Sequence, residues 1–386
     1  MKKFSITALC LILPFLLFTS CQSDDPAPPP DPKSALSGKT AIDYFNDNGL
    51  RVGWNLGNAL DSHRDNVGGE QEWSNPRIRQ ETLDGVKAAG FTVIRIPVTW
   101  RGHFGPAPGY AIAKDRMDRV AEVVDMAYNA GFKAVIINIH HDDSRPSSDN
   151  PVQGWLDVSK ADDPSAIAAI NAQFKRAWEQ IAERFRDYGD WLIFEGFNEV
   201  HNGGWGWDQA PDRLGPIPQA QFDAVNNWNQ VLVDVVRASG GNNAQRFLLI
   251  QPYNAKPHQA MSDKFIWPAD TEGNEGKLIL SIHYYEPNAF CLRGGTPAWT
   301  GTDEHKNWIL NEHSNTTPGF TKFKERYIDR GILVIMGECG AAAASTISYN
   351  PTVTVSAADA YDLNGSTTRT AWRTRRSCSR RPETTA

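Results

Sequence analysis

Trp191-Leu192-Ile193-Phe194-Glu195-Gly196-Phe197-Asn198-Glu199 is the stretch that decides the fold. Four apolar residues run without a break, and carboxylates and an amide then close the segment. A strand with one wet face alternates apolar and polar residues, whereas an unbroken apolar run belongs to a parallel sheet covered on both faces. Six similar runs flank it, at 51–56, 92–98, 133–139, 246–250, 278–283 and 332–336. Amphipathic helical patterns fill the intervals at roughly 77–89, 114–130, 165–187, 219–238 and 319–329. Ile78, Leu83 and Val86 keep the helical period there, as do Val120, Val123, Val124 and Ala127. Strands alternating with helices, and no Gly-rich phosphate loop after the first strand, predict an α/β chain folded as a (β/α)8 TIM barrel rather than a dinucleotide fold.

The eighth strand is the exception. Gly365–Ala386 contains no Val, Ile, Leu, Phe or Met and carries six Arg against one Glu. A strand buried on both faces cannot be built from it. The tail resembles out-of-frame translation, and the barrel is expected to stay open at its closing seam.

The chain has 386 residues, a net charge of −6, 40% apolar and 22% charged residues, which excludes disordered, collagen-like and multi-span membrane classes. Mild acidity without a basic stripe in the body argues against nucleic acid as a partner. Thirteen Trp in an acidic body suit stacking on sugars. At the N-terminus Lys2 and Lys3 precede an apolar run from Ile6 to Phe18, too short for an ordinary membrane span. Phe18-Thr19-Ser20-Cys21 resembles the lipobox of bacterial lipoproteins, which implies lipidation at Cys21. Gln22-Ser23-Asp24-Asp25 resembles a Bacteroidetes surface-display signal. The expected organisation is a lipoprotein signal peptide at 1–20, an acidic and Pro-rich tether at 21–37, a catalytic barrel at 38–364 and an aberrant or disordered basic tail at 365–386. The chain is then exported, touches a membrane only through its lipid, sits on the outer membrane or cell surface of a Gram-negative bacterium, and is expected to be a monomer. Cys291 and Cys339 are the only cysteines of the body, giving neither a disulfide framework nor metal-type spacing.

Barrels carry their chemistry at the C-terminal ends of strands. Glu199 ends the fourth strand and Glu338 the seventh, so two carboxylates are expected to face each other across the mouth. Retaining hydrolysis of a glycosidic bond requires that pair: one protonates the leaving oxygen while the other attacks the anomeric carbon, at a separation of ~5–5.5 Å. Glu195, earlier in its strand, reads as a satisfied interior carboxylate.

Six motifs in order carry a resemblance to glycoside hydrolase family 5. They are Gly53-Trp54-Asn55-Leu56-Gly57-Asn58-Ala59-Leu60-Asp61, Ile94-Arg95-Ile96-Pro97, Asn138-Ile139-His140-His141-Asp142, Asn198-Glu199, His283-Tyr284-Tyr285 and Gly337-Glu338. The resemblance covers residues ~40 to 340 and is closest to the endo-β-1,4-glucanases of the fourth subgroup. It implies Glu199 as acid/base and Glu338 as nucleophile, with Arg95, His140, Asn198, His283, Tyr285 and Trp54 around the substrate. Glu199 then needs a raised pKa, and Glu338 must be ionised and held still. The implied substrate is cellulose-type glucan, xyloglucan or mixed-linkage β-glucan, with no cofactor and no metal. Val200 stands where the family often has Pro, Cys339 where an aromatic is frequent, and the eighth-strand Trp has no clear match, Trp372 included.

Trp54, Trp100, Trp155, Trp205, Trp207 and Trp299 fall at or after strand ends, where rings can stack on sugars. His141 is expected to turn away from His140 as its strand neighbour. Three other readings stay open: a β-mannanase of the same family, a non-catalytic glycan-binding surface lipoprotein, and a metal-dependent hydrolase using His140, His141, Asp142 and Asp143.

Overall fold

The structure is a computed structural model that describes residues 32–145, 152–203, 216–285, 318–340 and 371–373. Seven strands match the seven apolar runs: β1 (Val52–Asn55), β2 (Val93–Ile96), β3 (Val135–Asn138), β4 (Leu192–Glu195), β5 (Leu248–Ile250), β6 (Leu278–Tyr284) and β7 (Leu333–Cys339). They pair in parallel in sequence order, and every residue of β2 to β6 is buried. Helices α1 (Ala41–Asp47), α2 (Gln80–Ala88), α3 (Lys114–Asn129), α4 (Pro164–Arg184) and α5 (Gln219–Ala238) precede or separate them. The start of α4 is written locally: Asp163 accepts the amides of Ser165 and Ala166, and Pro164 occupies the first turn, where no N–H is needed.

The expected apolar eighth strand is missing, but the tail is not without structure. Ala371–Arg373, β8, pairs in parallel with β1, Val52 opposite Ala371 and Trp54 opposite Arg373. Among the described residues no hydrogen-bonded ladder joins β8 to β7, so the barrel is nearly closed and lacks only the ladder at that seam. Of the segment 365–386, these three residues are the part that the structure describes. Backbone N–H and C=O groups on the free edge of β1 can pair with any extended segment, whatever its side chains.

The tether needs a correction. Residues 32–37 are docked: Pro32–Ser34 form a 3-10 turn. Lys33 O accepts from Gly189 N (2.7 Å) and Trp191 Nε1 (2.8 Å), Ser37 N donates to Asp190 (2.6 Å), and Lys33 pairs with Asp125 (2.7 Å). The contacts to Gly189, Asp190 and Trp191 lie just before β4, on the barrel floor opposite the mouth, and Asp125 belongs to α3. A Cβ on Gly189 would stand 2.3 Å from Ala35 O, so only glycine permits this approach. Cys21 and the signal segment lie outside the described residues, and no described helix is long and apolar enough to cross a membrane.

Candidate active site

Each site residue stands where a strand ends. Asn55 is the last residue of β1 and Asn138 the last of β3; Arg95 is next to last in β2; Glu195 closes β4. Register puts Asn55 opposite Arg95 and Asn138 opposite Glu195, so the four side chains share the barrel interior. In β6, Ser281 and His283 are two apart and face the same way. One irregularity aims the nucleophile candidate. Ile282 pairs with Met336 but His283 pairs with Glu338, so β7 carries an extra residue at Gly337. The bulge turns Glu338 toward His283. A Cβ on Gly337 would lie 2.5 Å from Ser281 Oγ, and its carbonyl accepts from Asn55 Nδ2 at 3.0 Å.

The two carboxylates predicted to face each other do so. Oxygens of Glu199 and Glu338 and a nitrogen of His283 lie within 4.8 Å of one another. His283 Nδ1 is 2.7 Å from Glu199 Oε1 and 3.7 Å from Glu338 Oε2. Arg95 Nη1 donates to Glu338 Oε1 at 2.8 Å and Tyr285 OH to Oε2 at 2.9 Å. Burial pushes the Glu338 carboxyl up, but the charges of His283 and Arg95 and the bonds from Tyr285 and Arg95 outweigh it and hold it at about 2. Burial likewise opposes charge on His283, yet Glu338 and the bond to Glu199 leave its pKa raised. Burial and the two carboxylates keep the Tyr285 hydroxyl protonated far above its ordinary range. Arg95 is fully buried; Glu195 and Glu338 offset its burial and raise its pKa.

Asn198 Oδ1 accepts from Arg95 Nη2 at 2.8 Å, which leaves the amide NH2 to donate. His140 Nδ1 faces Asn138 Nδ2 at 3.1 Å, so the proton of the neutral ring belongs on Nε2. Arg95, Asn198, Glu199, His283, Tyr285 and Glu338 are thus brought together, while His140 joins them through Asn138, which donates to Glu195.

Trp54 is not with them. Its partner in register is Ile94, on the outer face, and its ring packs edge-on against Phe91 at 5.1 Å. The period of two that carries Asn55 inward carries Trp54 outward. Trp100 is fully buried and donates to Asn138 O (2.9 Å), and Trp155 donates to Asp142 (2.7 Å), so both are structural. Trp205, Trp207 and Trp299 lie outside the described residues. His141 also departs from expectation: its ring lies 4.3 Å from that of His140. β3 ends at Asn138, so strand alternation no longer governs 140 and 141. Asp142 is spent on Trp100 N and Trp155 Nε1. His140 and His141 meet Asp61 instead, with donor atoms within 4.8 Å. Asp61 already accepts the amides of Asn58 and Ala59, and burial pushes its carboxyl up to about 6.

Two features escaped the sequence reading. Asn55 touches both Arg95 and the β7 bulge, and only the barrel's closure brings residues 55 and 337 together. Trp73 is 37% exposed, its ring 4.9 Å from that of His63 and 5.5 Å from that of His141. Trp73-Ser74-Asn75-Pro76 could have drawn notice as a loop after β1, since loops at that end of a barrel carry binding residues.

Residues 58–374 match the family described as cellulase (glycosyl hydrolase family 5). Endoglucanase B of Clostridium cellulovorans is 36% identical over 295 residues, 75% of this chain and 59% of that protein. Endoglucanase A of Ruminococcus albus is 37% identical over 76% of this chain and 72% of that one. In three dimensions the chain resembles the GH5-4 broad specificity endoglucanase from Bacteroides salanitronis, with a TM-score of 0.70 and 33% identity over 90% of this chain and 89% of that one. A parallel barrel with paired strand-end carboxylates, matched over most of its length, leaves one assignment: the chain belongs to glycosyl hydrolase family 5, the cellulase family of glycoside hydrolases.

Proposed function

We propose that this chain is an endo-acting glycoside hydrolase that cleaves β-1,4-glucosidic bonds with retention of configuration. The observation that carries it is the pair Glu199 and Glu338, with oxygens within 4.8 Å and the second held ionised. A close pair supports retention, which uses carboxyl groups about 5–5.5 Å apart, rather than inversion, which needs a wider gap for a water. Glu338 attacks the anomeric carbon while Glu199 gives its proton to the departing oxygen, and a glycosyl ester forms on Glu338. Glu199 then takes a proton from water, the water oxygen bonds to the anomeric carbon, and Glu338 leaves. Arg95 and Tyr285 steady the Glu338 charge, and the Asn198 amide can donate to the sugar 2-hydroxyl.

The substrate proposed is cellulose-type glucan, xyloglucan or mixed-linkage β-glucan, supported by the endoglucanase names of the relatives and by the broad specificity named for the Bacteroides salanitronis enzyme. Reducing ends should appear from carboxymethyl cellulose, xyloglucan and lichenan, and the first product anomer seen by proton NMR should be β. The α-anomer first, or no product from these or from mannan, would sink the reading. Product from mannan alone would favour the mannanase. Export and lipidation at Cys21 belong to the same proposal: palmitate labelling of the chain in a Gram-negative host should vanish in Cys21→Ser.

A further inference from the structure

Glu195 has no place in the reaction above, yet it is among the most heavily bonded side chains of the barrel. It is 0% exposed. Oε2 accepts from Arg95 Nε at 2.6 Å and Asn138 Nδ2 at 2.9 Å; Oε1 accepts from Gln251 Nε2 at 2.8 Å and Ser281 Oγ at 3.1 Å. The four donors come from β2, β3, β6 and the residue just after β5, so Glu195 is tied across the barrel in every direction.

Its strongest link is the one that matters to the chemistry. The Arg95 guanidinium is a rigid plane with five N–H groups in fixed directions. Glu195 takes the Nε edge. The far end of the same plane reaches Glu338 Oε1 (2.8 Å), Asn55 Oδ1 (3.0 Å) and Asn198 Oδ1 (2.8 Å). Once the Nε edge is pinned, both terminal nitrogens have only one place to be. The Arg95 stem alone could not do this, because its torsions are soft and its charged head would follow the nearer carboxylate.

We infer that Glu195 is a positioning residue that aims the nucleophile: by fixing the plane of Arg95 it sets where Glu338 and Asn198 stand relative to the anomeric carbon. It touches no substrate atom. The inference rests on Glu338 as nucleophile. A displacement of about 1 Å at a reacting atom can cost about 10²-fold in rate.

The test follows trapping of the nucleophile in the full chain by an activated 2-deoxy-2-fluoro cellobioside with a dinitrophenolate leaving group. A Glu338 oxygen bonds to the anomeric carbon, the dinitrophenolate departs with the electron pair of the broken bond, and the fluorine slows hydrolysis so that the ester accumulates. No proton from Glu199 is needed, so the rate reports the nucleophile alone. In Glu195→Gln the trapping rate should fall about 50-fold or more, while cellotriose binding measured by calorimetry changes less than about threefold, since the Asn198 bond to the 2-hydroxyl gains its strength in the transition state rather than in the bound ground state. Ser281→Ala, which removes one of the four donors, should give a smaller fall of about threefold in the same rate. A merely structural Glu195 would lower the melting temperature and weaken binding and trapping together, and that pattern overturns the inference. So does a folded Glu195→Gln chain that traps at the native rate. If that variant does not fold, full-rate trapping by Ser281→Ala decides against it. An unmodified chain that is never trapped removes Glu338 as nucleophile and the inference with it, whereas native trapping in the unmodified chain and Glu195→Gln alike removes the inference alone.

Discussion

Two arginines grip opposite ends of β4, and each is buried, at 0% exposure for Arg95 and 1% for Arg246. At the floor, Arg246 spends its donors on neutral acceptors: Asn243 Oδ1 and the carbonyls of Phe185, Tyr188, Gly189 and Leu192, at 2.5–3.2 Å. Burial there wins, and its pKa is pulled down to about 9 despite the charge of Asp190. At the mouth, Arg95 faces two carboxylates and two amide oxygens, and its pKa is pushed up. The guanidinium geometry is the same in both. Carbonyl partners make it a stitch that closes the loop feeding β4; carboxylate partners make it a fixed charge that another group can use.

The comparison breaks most decisively at the group Arg95 serves. Glu338→Gln should lower kcat on carboxymethyl cellulose by about 10⁴-fold or more with the fold intact by circular dichroism. The same variant tests the charge. Glu338 titrates at about 2 when folded against an ordinary 4.5. A carboxyl depressed on folding contributes stability above its unfolded pKa and loses it as pH falls through the folded one. The melting advantage of the native chain over Glu338→Gln should therefore shrink between about pH 4.5 and 2, and an advantage flat across that window would contradict the assigned charge.

Next come the two arginines. Arg95→Lys should cost about 10²-fold in kcat, because a point charge cannot hold Glu195, Glu338 and Asn198 at once, and about 3 kcal/mol of stability through the buried acceptors it leaves unpaired. Arg246→Lys should cost about 3 kcal/mol of stability by leaving buried carbonyls unpaired, with kcat of the folded fraction unchanged. Urea melts beside initial rates check both, and matched losses of kcat in the two folded variants would erase the distinction between stitch and charge.

Smaller effects sharpen the contrast at each end. Trp73→Ala, on the mouth side, should raise KM for polymer about fivefold and leave kcat alone, as loss of one stacking ring would. Gly189→Ala, on the floor, should free residues 33–37 to trypsin at Lys33 while changing kcat less than about twofold. Unchanged proteolysis would mean the strap tolerates the added methyl group.

The sequence was legible wherever one local rule sufficed. Apolar runs located seven strands, and helical periods located α2 to α5, because burial on two faces or on one stripe is written residue by residue. It failed where a residue's surroundings come from afar. Trp54 was expected at the sugar because it lies at the end of its strand, but one position of register sends it outward. His141 was expected to turn away, but β3 had already ended. Residues 32–37 look like tether by composition, and it is Gly189, about 150 residues on, that lets them dock.

The chain's own letters determined the α/β alternation, the strand-end carboxylates and the order of the family's motifs. Each follows from short-range periodicity or from a pattern contiguous along the chain. Only the closed arrangement of strands decided that Asn55 meets Gly337, that a bulge aims Glu338 at His283, and that Arg95 is shared between Glu195 and Glu338. Those contacts join residues 55 to 282 positions apart. Their geometry depends on the register of the strands between them, and no local pattern encodes it.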